Sequence, residues 1–259
     1  MTQVSAQHPA MDDFAALDPR SVALLLDVDG TLIDIGPSPF EVHVPDELCR
    51  SLERLLAAGG GALALVSGRP IRDLDKLFSP LLLPAVGGHG AETRVHAGEV
   101  VSSAAPLPEE MRRQLAQAKT PGSGIVFEDK GYSFALHFRG APQEEGRLRA
   151  LIEAARAAFP DEDVEVLPGK AMFEVKRPGI SKGVAVRALM TRAPFAGRVP
   201  VFIGDDVTDE TVFALLPALG GKGYSVGRHF ENVTGIFASP DEVREALRRL
   251  AAAARVSGS

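Results

Sequence analysis

Three short stretches of the chain are apolar throughout, and each is followed at once by polar residues or glycine. They span residues 22–26, 62–66 and 199–203. Apolar runs of this length predict strands that are buried on both faces, as in parallel sheets covered by helices. A helix with a stripe of leucines opens at Pro45, between the first two runs. Strands that alternate with helices predict a doubly wound α/β core with a parallel sheet.

The middle of the chain follows a different pattern. Helical sequence at 109–119 and 143–159 is interleaved with two pairs of short strands, in which apolar and polar positions alternate. This order predicts an inserted α/β domain with an antiparallel sheet and two helices. The predicted parts of the chain are a polar leader (1–20), a core (21–105 and 177–259) and the inserted domain (106–176).

Alternation within the insert separates its strand residues into two faces, because successive strand side chains point in opposite directions. One face is apolar and is expected to pack on the two helices. The other face gathers Glu128, Lys130, His137, Arg139, Glu174 and Lys176. Any two-layer α/β domain has a polar face toward solvent, and this is the simpler interpretation. The face becomes a binding surface for hydroxyl groups if it lies over an active site.

Composition and charge narrow the classes of function. The chain has 34 acidic and 28 basic residues and a net charge of −6, which argues against sequence-independent nucleic-acid binding. Its single cysteine, Cys49, excludes an intrachain disulfide. The sequence has neither an apolar run long enough for a membrane span nor the pattern of a signal peptide. We therefore expect a cytoplasmic monomer that binds neither membranes nor nucleic acid.

The strongest chemical signal is the segment Asp27-Val28-Asp29-Gly30-Thr31, which follows the first apolar run. Ligands of open α/β sheets bind at the carboxyl ends of the strands. Here Asp27 is a candidate nucleophile that attacks phosphorus to form an aspartyl phosphate. Asp29 is a candidate acid that protonates the leaving alcohol and then activates water. By itself, an Asp-x-Asp-Gly segment is equally well explained as an Asp-rich turn.

Two further side chains strengthen the chemical interpretation. Ser67 follows the second apolar run, where its hydroxyl can hold a phosphate oxygen; the alternative is that it caps the helix beginning at Pro70. Lys182 begins the helix after the insert and can place a positive charge on a phosphoryl group. The alternative for Lys182 is the commonest fate of a lysine, exposure on the surface.

An acidic segment follows the third apolar run. Residues 204–210, Gly-Asp-Asp-Val-Thr-Asp-Glu, place four acids within six residues, and these would repel one another without a cation. A helix N-terminus accounts for Asp209 and Glu210 better than for Asp205 and Asp206. Mg²⁺ prefers a few carboxylates, water and substrate oxygens. The predicted ligands are Asp27, Asp205 and the backbone carbonyl of Asp29.

Together, these pieces resemble the motifs of the haloacid dehalogenase superfamily of phosphatases. The matching residues are Asp27 to Thr31, Ser67, Lys182 and the Gly204-Asp205-Asp206 turn, in the order of the superfamily and each at the expected strand or helix end. The resemblance covers about 21–105 and 177–255. It implies a Rossmann-like core with an inserted cap domain, an aspartyl-phosphate intermediate and Mg²⁺ as the cofactor.

Within that superfamily the chain is similar to trehalose-6-phosphate phosphatases. The similar segments are 67–70 and 87–92, the acidic segment 204–210, and the cap segments 128–130, 137–139 and 174–176. The resemblance implies that Glu128, Lys130, Arg139 and Glu174 contact sugar hydroxyls. One departure is Lys176-Arg177-Pro178, where relatives often place proline directly after lysine, and it puts the shape of that loop in question.

Three functions remain open at this stage. The first is hydrolysis of trehalose 6-phosphate to trehalose and phosphate. The second is the same chemistry on another sugar phosphate or glycosyl phosphate. The third is an inactive sugar-phosphate sensor, which ranks last because the nucleophile, the lysine and the metal-binding acids are all present. His89 is interpreted as a packing residue, since Asp29 already supplies the base, and Arg69 is left open between substrate contact and support of its loop.

Overall fold

The computed structural model describes residues 9–36, 42–96, 98–103, 105–169 and 171–256. The chain divides into two compact units, Met1–Val101 with Ser181–Ser259, and Ser102–Ile180. The sequence placed the inserted domain at 106–176, within the second of these units. In the part of the chain that the structure describes, no helix is both long and apolar enough to cross a bilayer.

The strands are β1 (Val22–Leu26), β2 (Leu63–Val66), β3 (Ala85–Gly87), β4 (Glu92–Arg94), β5 (Val101–Ser102), β6 (Val126–Asp129), β7 (Ser133–His137), β8 (Glu165–Gly169), β9 (Met172–Lys176), β10 (Val199–Gly204), β11 (Lys222–Val226) and β12 (Gly235–Phe237). The helices are α1 (Pro9–Ala15), α2 (Asp46–Ala58), α3 (Ile71–Leu77), α4 (Glu109–Ala116), α5 (Glu145–Ala158), α6 (Lys182–Leu189), α7 (Glu210–Phe213) and α8 (Pro240–Val256). The three strands predicted from apolar runs are β1, β2 and β10.

The sheet of the first unit has the order β12-β11-β10-β1-β2-β3-β4-β5. The pairs from β12 to β3 are parallel, and β4 pairs with β3 in the antiparallel sense. β1 lies between β2 and β10. The strands that follow β1 in the chain are added on one side as β2 and β3, and later on the other side as β10, β11 and β12. Such a reversal of strand order opens a crevice at the carboxyl ends of the strands. The residues after β1, β2 and β10 are therefore neighbours.

Hydrophobic side chains pack on both faces of this sheet. Val22, Leu24 and Leu26 belong to one buried cluster with α1, α2, α3 and α8. Ala23 and Leu25 belong to the other, with α6 and α7. A strand with helices on both faces has no position for a polar side chain, which explains why its sequence is apolar without interruption. The predicted doubly wound α/β core is confirmed.

The N-terminal region differs from the predicted polar leader. Residues 1–8 lie outside the described part of the chain, but the following residues form α1, which packs on α8 and β12. Phe14 is fully buried and meets the ring of Tyr224 edge-on at 5.4 Å and that of Phe237 at 6.0 Å. Met11 and Phe14 lie on one side of this short helix. Two apolar residues among polar neighbours are too weak a signal for sequence-based prediction.

The second unit is the predicted two-layer insert. Its strands form an antiparallel sheet in the order β6-β7-β9-β8. Phe134, Leu136 and Phe173 form its buried cluster with residues of α4 and α5. Strand pairing places Glu128 opposite Ala135 and Ala135 opposite Glu174, so the polar residues of neighbouring strands share the other face. The predicted cap architecture, an antiparallel sheet with two helices, is confirmed.

Candidate active site

The loop after β1 carries Asp27 to the end of the sheet. Its carboxylate is buried, and its backbone N–H donates to the carbonyl of Ile203 at 2.9 Å, which extends the pairing with β10. Gly30 has a φ of +84°, and a Cβ there would lie 2.3 Å from Oδ2 of Asp205. Glycine is therefore needed both for the backbone conformation and for the approach of Asp205. The hydroxyl of Thr31 donates to Oδ1 of Asp205 at 3.1 Å.

Lys182 is a buried lysine held between two buried carboxylates. Its Nζ donates to Oδ1 of Asp27 and to Oδ1 of Asp209, each at 2.7 Å. The side chain is the first of α6, whose N-cap Ser181 accepts from the N–H of Val184 at 3.2 Å. A Cβ on Gly183 would lie 2.2 Å from the carbonyl oxygen of Thr211, so glycine lets α6 approach the neighbouring turn closely. The surface interpretation of Lys182 is wrong.

Asp209 is hydrogen-bonded to the backbone of the acidic turn in which it lies. It is fully buried, and its Oδ2 accepts from the backbone N–H groups of Asp205 at 2.9 Å and Asp206 at 3.0 Å. Its other oxygen accepts from Lys182. The sequence explained Asp209 only as an acid at a helix start. Its position three residues after Asp206 was the available signal, because that is the spacing of a capping box, in which the later side chain accepts from the backbone N–H of the N-cap residue.

The electrostatics of this cluster favour a cation. Burial raises the pKa of Asp27 well above its usual range; the charge of Lys182 opposes this, while Asp209 and Asp205 add to it. Burial also raises the pKa of Asp205, and the charge of Asp209 adds to the effect. For Lys182, burial alone would lower the pKa, but the charges of Asp209 and Asp27 outweigh it and raise the pKa. One lysine thus does not neutralise the three carboxylates.

Carboxylate oxygens of Asp27, Asp205 and Asp209 lie within 4.8 Å of one another. Hard divalent cations such as Mg²⁺ prefer ligands of this kind. Both oxygens of Asp209 already accept hydrogen bonds, so Asp27 and Asp205 are the better placed of the three for a metal ion. The backbone carbonyl of Asp29, the third predicted ligand, stays a prediction.

The loop after β2 brings Ser67 and Arg69 to the same edge of the sheet. Ser67 is buried, and its Oγ accepts from the N–H of Arg69 at 3.1 Å. The guanidinium of Arg69 binds both carboxylate oxygens of Asp29, from Nε to Oδ2 at 2.7 Å and from NH2 to Oδ1 at 2.6 Å. Ser67 does not cap α3; the N–H of Ile71 donates instead to the carboxylate of Glu92 at 2.7 Å.

The turn that contains His89 is hydrogen-bonded to that loop through two backbone N–H groups. The N–H of Gly88 donates to the carbonyl of Arg69 at 2.9 Å, and the N–H of His89 donates to the carbonyl of Ser67 at 3.0 Å. A Cβ on Gly68 would lie 2.4 Å from Nε2 of His89, so the imidazole ring packs directly on that glycine. This geometry agrees with the interpretation of His89 as a packing residue.

Comparison with known proteins assigns the chain to a family. The family model described as Trehalose-phosphatase matches residues 25–235, which include Asp27, Ser67, Lys182 and Asp205. The chain belongs to the trehalose-phosphatase family. The resemblance seen in the sequence is confirmed.

Similar relatives agree with this assignment, and a solved structure shows the same fold. The chain is 42% identical over 211 residues to the trehalose-6-phosphate phosphatase of Escherichia coli strain K12, covering 79% of this chain and 77% of the relative. It is 40% identical over 256 residues to a probable trehalose-phosphate phosphatase of Sinorhizobium fredii, covering 96% and 95%. The C-terminal domain of the C. albicans trehalose-6-phosphate phosphatase has the same fold, with a TM-score of 0.75 at 22% identity over 96% of this chain and 97% of that domain.

In the cap of this member of the trehalose-phosphatase family, two of the four residues that the resemblance assigned to the sugar, Lys130 and Glu174, contact each other. Nζ of Lys130 lies 3.4 Å from Oε1 of Glu174, and both side chains are buried. The hydroxyl of Ser133 donates to the same oxygen at 2.9 Å. Ser133 was missed by the sequence, although its register opposite Lys176 puts it on this face.

The other two cap residues assigned to the sugar, Glu128 and Arg139, do not take part in the contact between Lys130 and Glu174. Glu128 pairs with Nε2 of His137 at 3.2 Å. Burial alone would raise the pKa of Glu128, but the hydrogen bond from His137 and the charge of Lys130 together lower it. Arg139 is exposed and lies two residues beyond the end of β7, outside these pairs. The roles of the cap residues in binding substrate stay predictions.

Proposed function

We propose that this protein hydrolyses trehalose 6-phosphate to trehalose and phosphate through an aspartyl-phosphate intermediate on Asp27. Membership of the trehalose-phosphatase family supports the substrate. The observation that carries the mechanism is the buried group of Asp27, Lys182 and Asp209 at the carboxyl end of the sheet, with Lys182 at 2.7 Å from each carboxylate. An ion pair that served only stability could lie on the surface. A site for phosphoryl transfer excludes water, and the burial of these three side chains agrees with that role.

In the first half of the reaction, a carboxylate oxygen of Asp27 attacks phosphorus. The bond between phosphorus and the sugar oxygen breaks, and Asp29 gives its proton to that oxygen, so trehalose leaves as a neutral alcohol. In the second half, a water oxygen attacks the phosphorus of the aspartyl phosphate. Asp29 takes the water proton, the bond to Asp27 breaks, and inorganic phosphate leaves.

Positive charge and hydrogen-bond donors around the phosphoryl group complete the proposal. Lys182 balances the charge of Asp27 from a fixed, buried position. The hydroxyl of Ser67 accepts from the loop backbone and keeps its own proton to donate to a phosphate oxygen. Mg²⁺ would be held by Asp27, Asp205 and the carbonyl of Asp29, and it would offset the negative charge of the phosphoryl oxygens.

The test is phosphate release from a panel of sugar phosphates in the presence of Mg²⁺. Trehalose 6-phosphate should be the preferred substrate, and EDTA should stop the reaction. Asp27→Asn should abolish turnover while leaving the fold intact. Turnover of the Asp27→Asn variant close to that of the unchanged protein would contradict the mechanism. A panel led by another sugar phosphate would favour the broader enzyme, and no release at all would favour the inactive sensor.

Recognition of the disaccharide by the cap is a separate part of the proposal. We propose that Glu128, Lys130, Arg139 and Glu174 bind sugar hydroxyls. In support, Glu128 and Glu174 lie on one polar face of the cap sheet, and Nζ of Lys130 lies 3.4 Å from Glu174. A hydrogen bond to a charged group contributes about 1.5–3 kcal/mol, which corresponds to a loss of about 10- to 100-fold in kcat/KM when it is removed.

Glu128→Gln and Glu174→Gln should therefore lower kcat/KM for trehalose 6-phosphate much more than for p-nitrophenyl phosphate, which has no sugar. Glu153→Gln is the matched control, since Glu153 lies exposed on α5 and, among the residues that the structure describes, pairs only with Arg156. Equal losses on both substrates would remove the cap residues from sugar recognition. The monomeric state and the cytoplasmic location stay predictions, to be tested by light scattering and by cell fractionation.

A further inference from the structure

Arg69 links two loops of the candidate active site. Its backbone N–H donates to the hydroxyl oxygen of Ser67, and its side chain binds both oxygens of Asp29. The carbonyl of Arg69 is in turn fixed by the N–H of Gly88 at 2.9 Å. The side chain of Arg69 is 14% exposed and that of Asp29 38%, so the better buried partner of the pair is the arginine.

This contact is selective for one form of Asp29. A guanidinium presents parallel N–H donors that match the two oxygens of an ionised carboxylate. A carboxylic acid carries a proton on one oxygen and cannot accept at both in the same way. The two parallel N–H donors of Arg69 therefore fit the carboxylate of Asp29 after it has released its proton. In the proposed reaction Asp29 reaches that form once trehalose has left and the aspartyl phosphate awaits water.

We propose that Arg69 is a positioning residue for the second half of the reaction, holding the ionised Asp29 carboxylate so that it takes the proton of the attacking water. This inference rests on the proposed function of the same site. Arg69 acts through Asp29 and need not touch the substrate. Two hydrogen bonds fix both the place and the plane of the carboxylate, whereas one contact would leave it free to rotate.

The test separates the two halves of the reaction with p-nitrophenyl phosphate. Its leaving group departs without a proton, so kcat/KM reports attack by Asp27 and is insensitive to Asp29. Arg69→Met should lower kcat by about 10- to 100-fold, which is part of the about 100- to 10,000-fold that a positioned general base contributes, because Asp29 itself remains. KM should fall in parallel, leaving kcat/KM within about threefold of the unchanged protein, since only the step after leaving-group departure is slowed. A burst of p-nitrophenol, and aspartyl phosphate trapped by acid, should both appear.

Two further variants define the cause. Arg69→Lys keeps the charge without the planar fork and should fall between the unchanged protein and Arg69→Met. In a protein that already carries Asp29→Asn, Arg69→Met should cause no additional loss, because the two residues act as one unit. Arg72→Met, an exposed arginine on the adjacent α3, is the charge-matched control and should leave the burst and kcat unchanged.

The burst amplitude counts active sites, so a partly unfolded variant cannot imitate the expected result. A parallel loss of kcat and kcat/KM in Arg69→Met without trapped aspartyl phosphate would overturn the inference, and so would unchanged kcat. An additional loss in the doubly changed protein would overturn it as well. Failure of the proposed function would look different, because the protein with Arg69 intact would then show no turnover that depends on Asp27.

Discussion

Removal of the lysine between Asp27 and Asp209 tests the electrostatics of the site directly. Lys182→Met keeps most of the side-chain length, so the change removes charge and hydrogen bonds more than volume. Side-chain exposures are 3% for Lys182, 6% for Asp27 and 0% for Asp209, so solvent does not screen these contacts. Breaking a buried ion pair by removing one partner costs about 3–5 kcal/mol. We expect the free energy of unfolding in EDTA to fall by that amount near neutral pH.

The loss should depend on pH with a defined sign. Burial raises the pKa of Asp27, and Lys182 is the group that opposes this, so its removal raises the pKa further. A carboxyl group whose pKa is raised on folding costs nothing below its unfolded-state pKa and destabilises increasingly as the pH rises toward its folded-state pKa. The two proteins differ in this penalty only above the folded-state pKa that Asp27 has beside Lys182, so urea unfolding over about pH 5 to 9 should show a difference that grows as the pH rises.

Lys222→Met is the matched control. Lys222 also pairs with an aspartate at 2.8 Å, but the exposures of Lys222 and Asp13 are 38% and 41%. Exposed pairs contribute about 0–1 kcal/mol, so a small loss is expected. If Lys182→Met lost no more stability than Lys222→Met, or if its loss shrank as the pH rose, the assignment of Lys182 as the charge that stabilises the buried carboxylates would be refuted.

Three other predictions concern packing and metal binding. Phe14→Ala should lower the free energy of unfolding by about 3–5 kcal/mol in urea titrations, as expected for a fully buried ring; an unchanged midpoint would mean that α1 adds no stability. Gly30→Ala should weaken Mg²⁺ binding in calorimetry because its Cβ would collide with Asp205, whereas Gly197→Ala, with similar backbone strain and nothing within 4 Å, should not; equal effects would exclude the collision as the cause. Burial raises the pKa of Asp27, and binding needs its ionised form, so Mg²⁺ should raise Tm more at about pH 7.5 than at about pH 5.5; the reverse trend would contradict the site.

The elements that the sequence predicted are those whose burial restricts each position to either apolar or polar residues. β1 is buried on both faces, so every position is apolar and its limits match the predicted run. In the cap, the helices cover one face of the sheet, so apolar and polar positions tend to alternate, and the hairpin of β6 and β7 was predictable from that tendency. β11 was not predicted, because its Lys-Gly-Tyr-Ser-Val sequence mixes polar and apolar residues without a period.

Within the site, the sequence predicted residues better than it predicted contacts. Asp27 and Lys182 are distant in the chain, but each stands at one end of an element that the sequence predicted, Asp27 after β1 and Lys182 at the start of α6. The pairing of Arg69 with Asp29 depends on side-chain direction in two loops, which no hydrophobic pattern encodes. The same holds for Asp209, whose hydrogen bonds to backbone amides resemble those of an ordinary acidic cap.

The position of α1 has a consequence for shortening the chain. α1 packs on β12, the last strand in the order of the sheet, so closely that a Cβ on Gly235 would lie 2.8 Å from the Cβ of Ala10. Because strand side chains stand perpendicular to the sheet, this approach places α1 on a face of β12. A protein trimmed to begin at residue 21 would keep β1 but lose α1, and with it the buried side chains of Met11 and Phe14. The rings of Tyr224 and Phe237, which Phe14 contacts, would then be uncovered. We therefore expect the trimmed protein to aggregate through this apolar face.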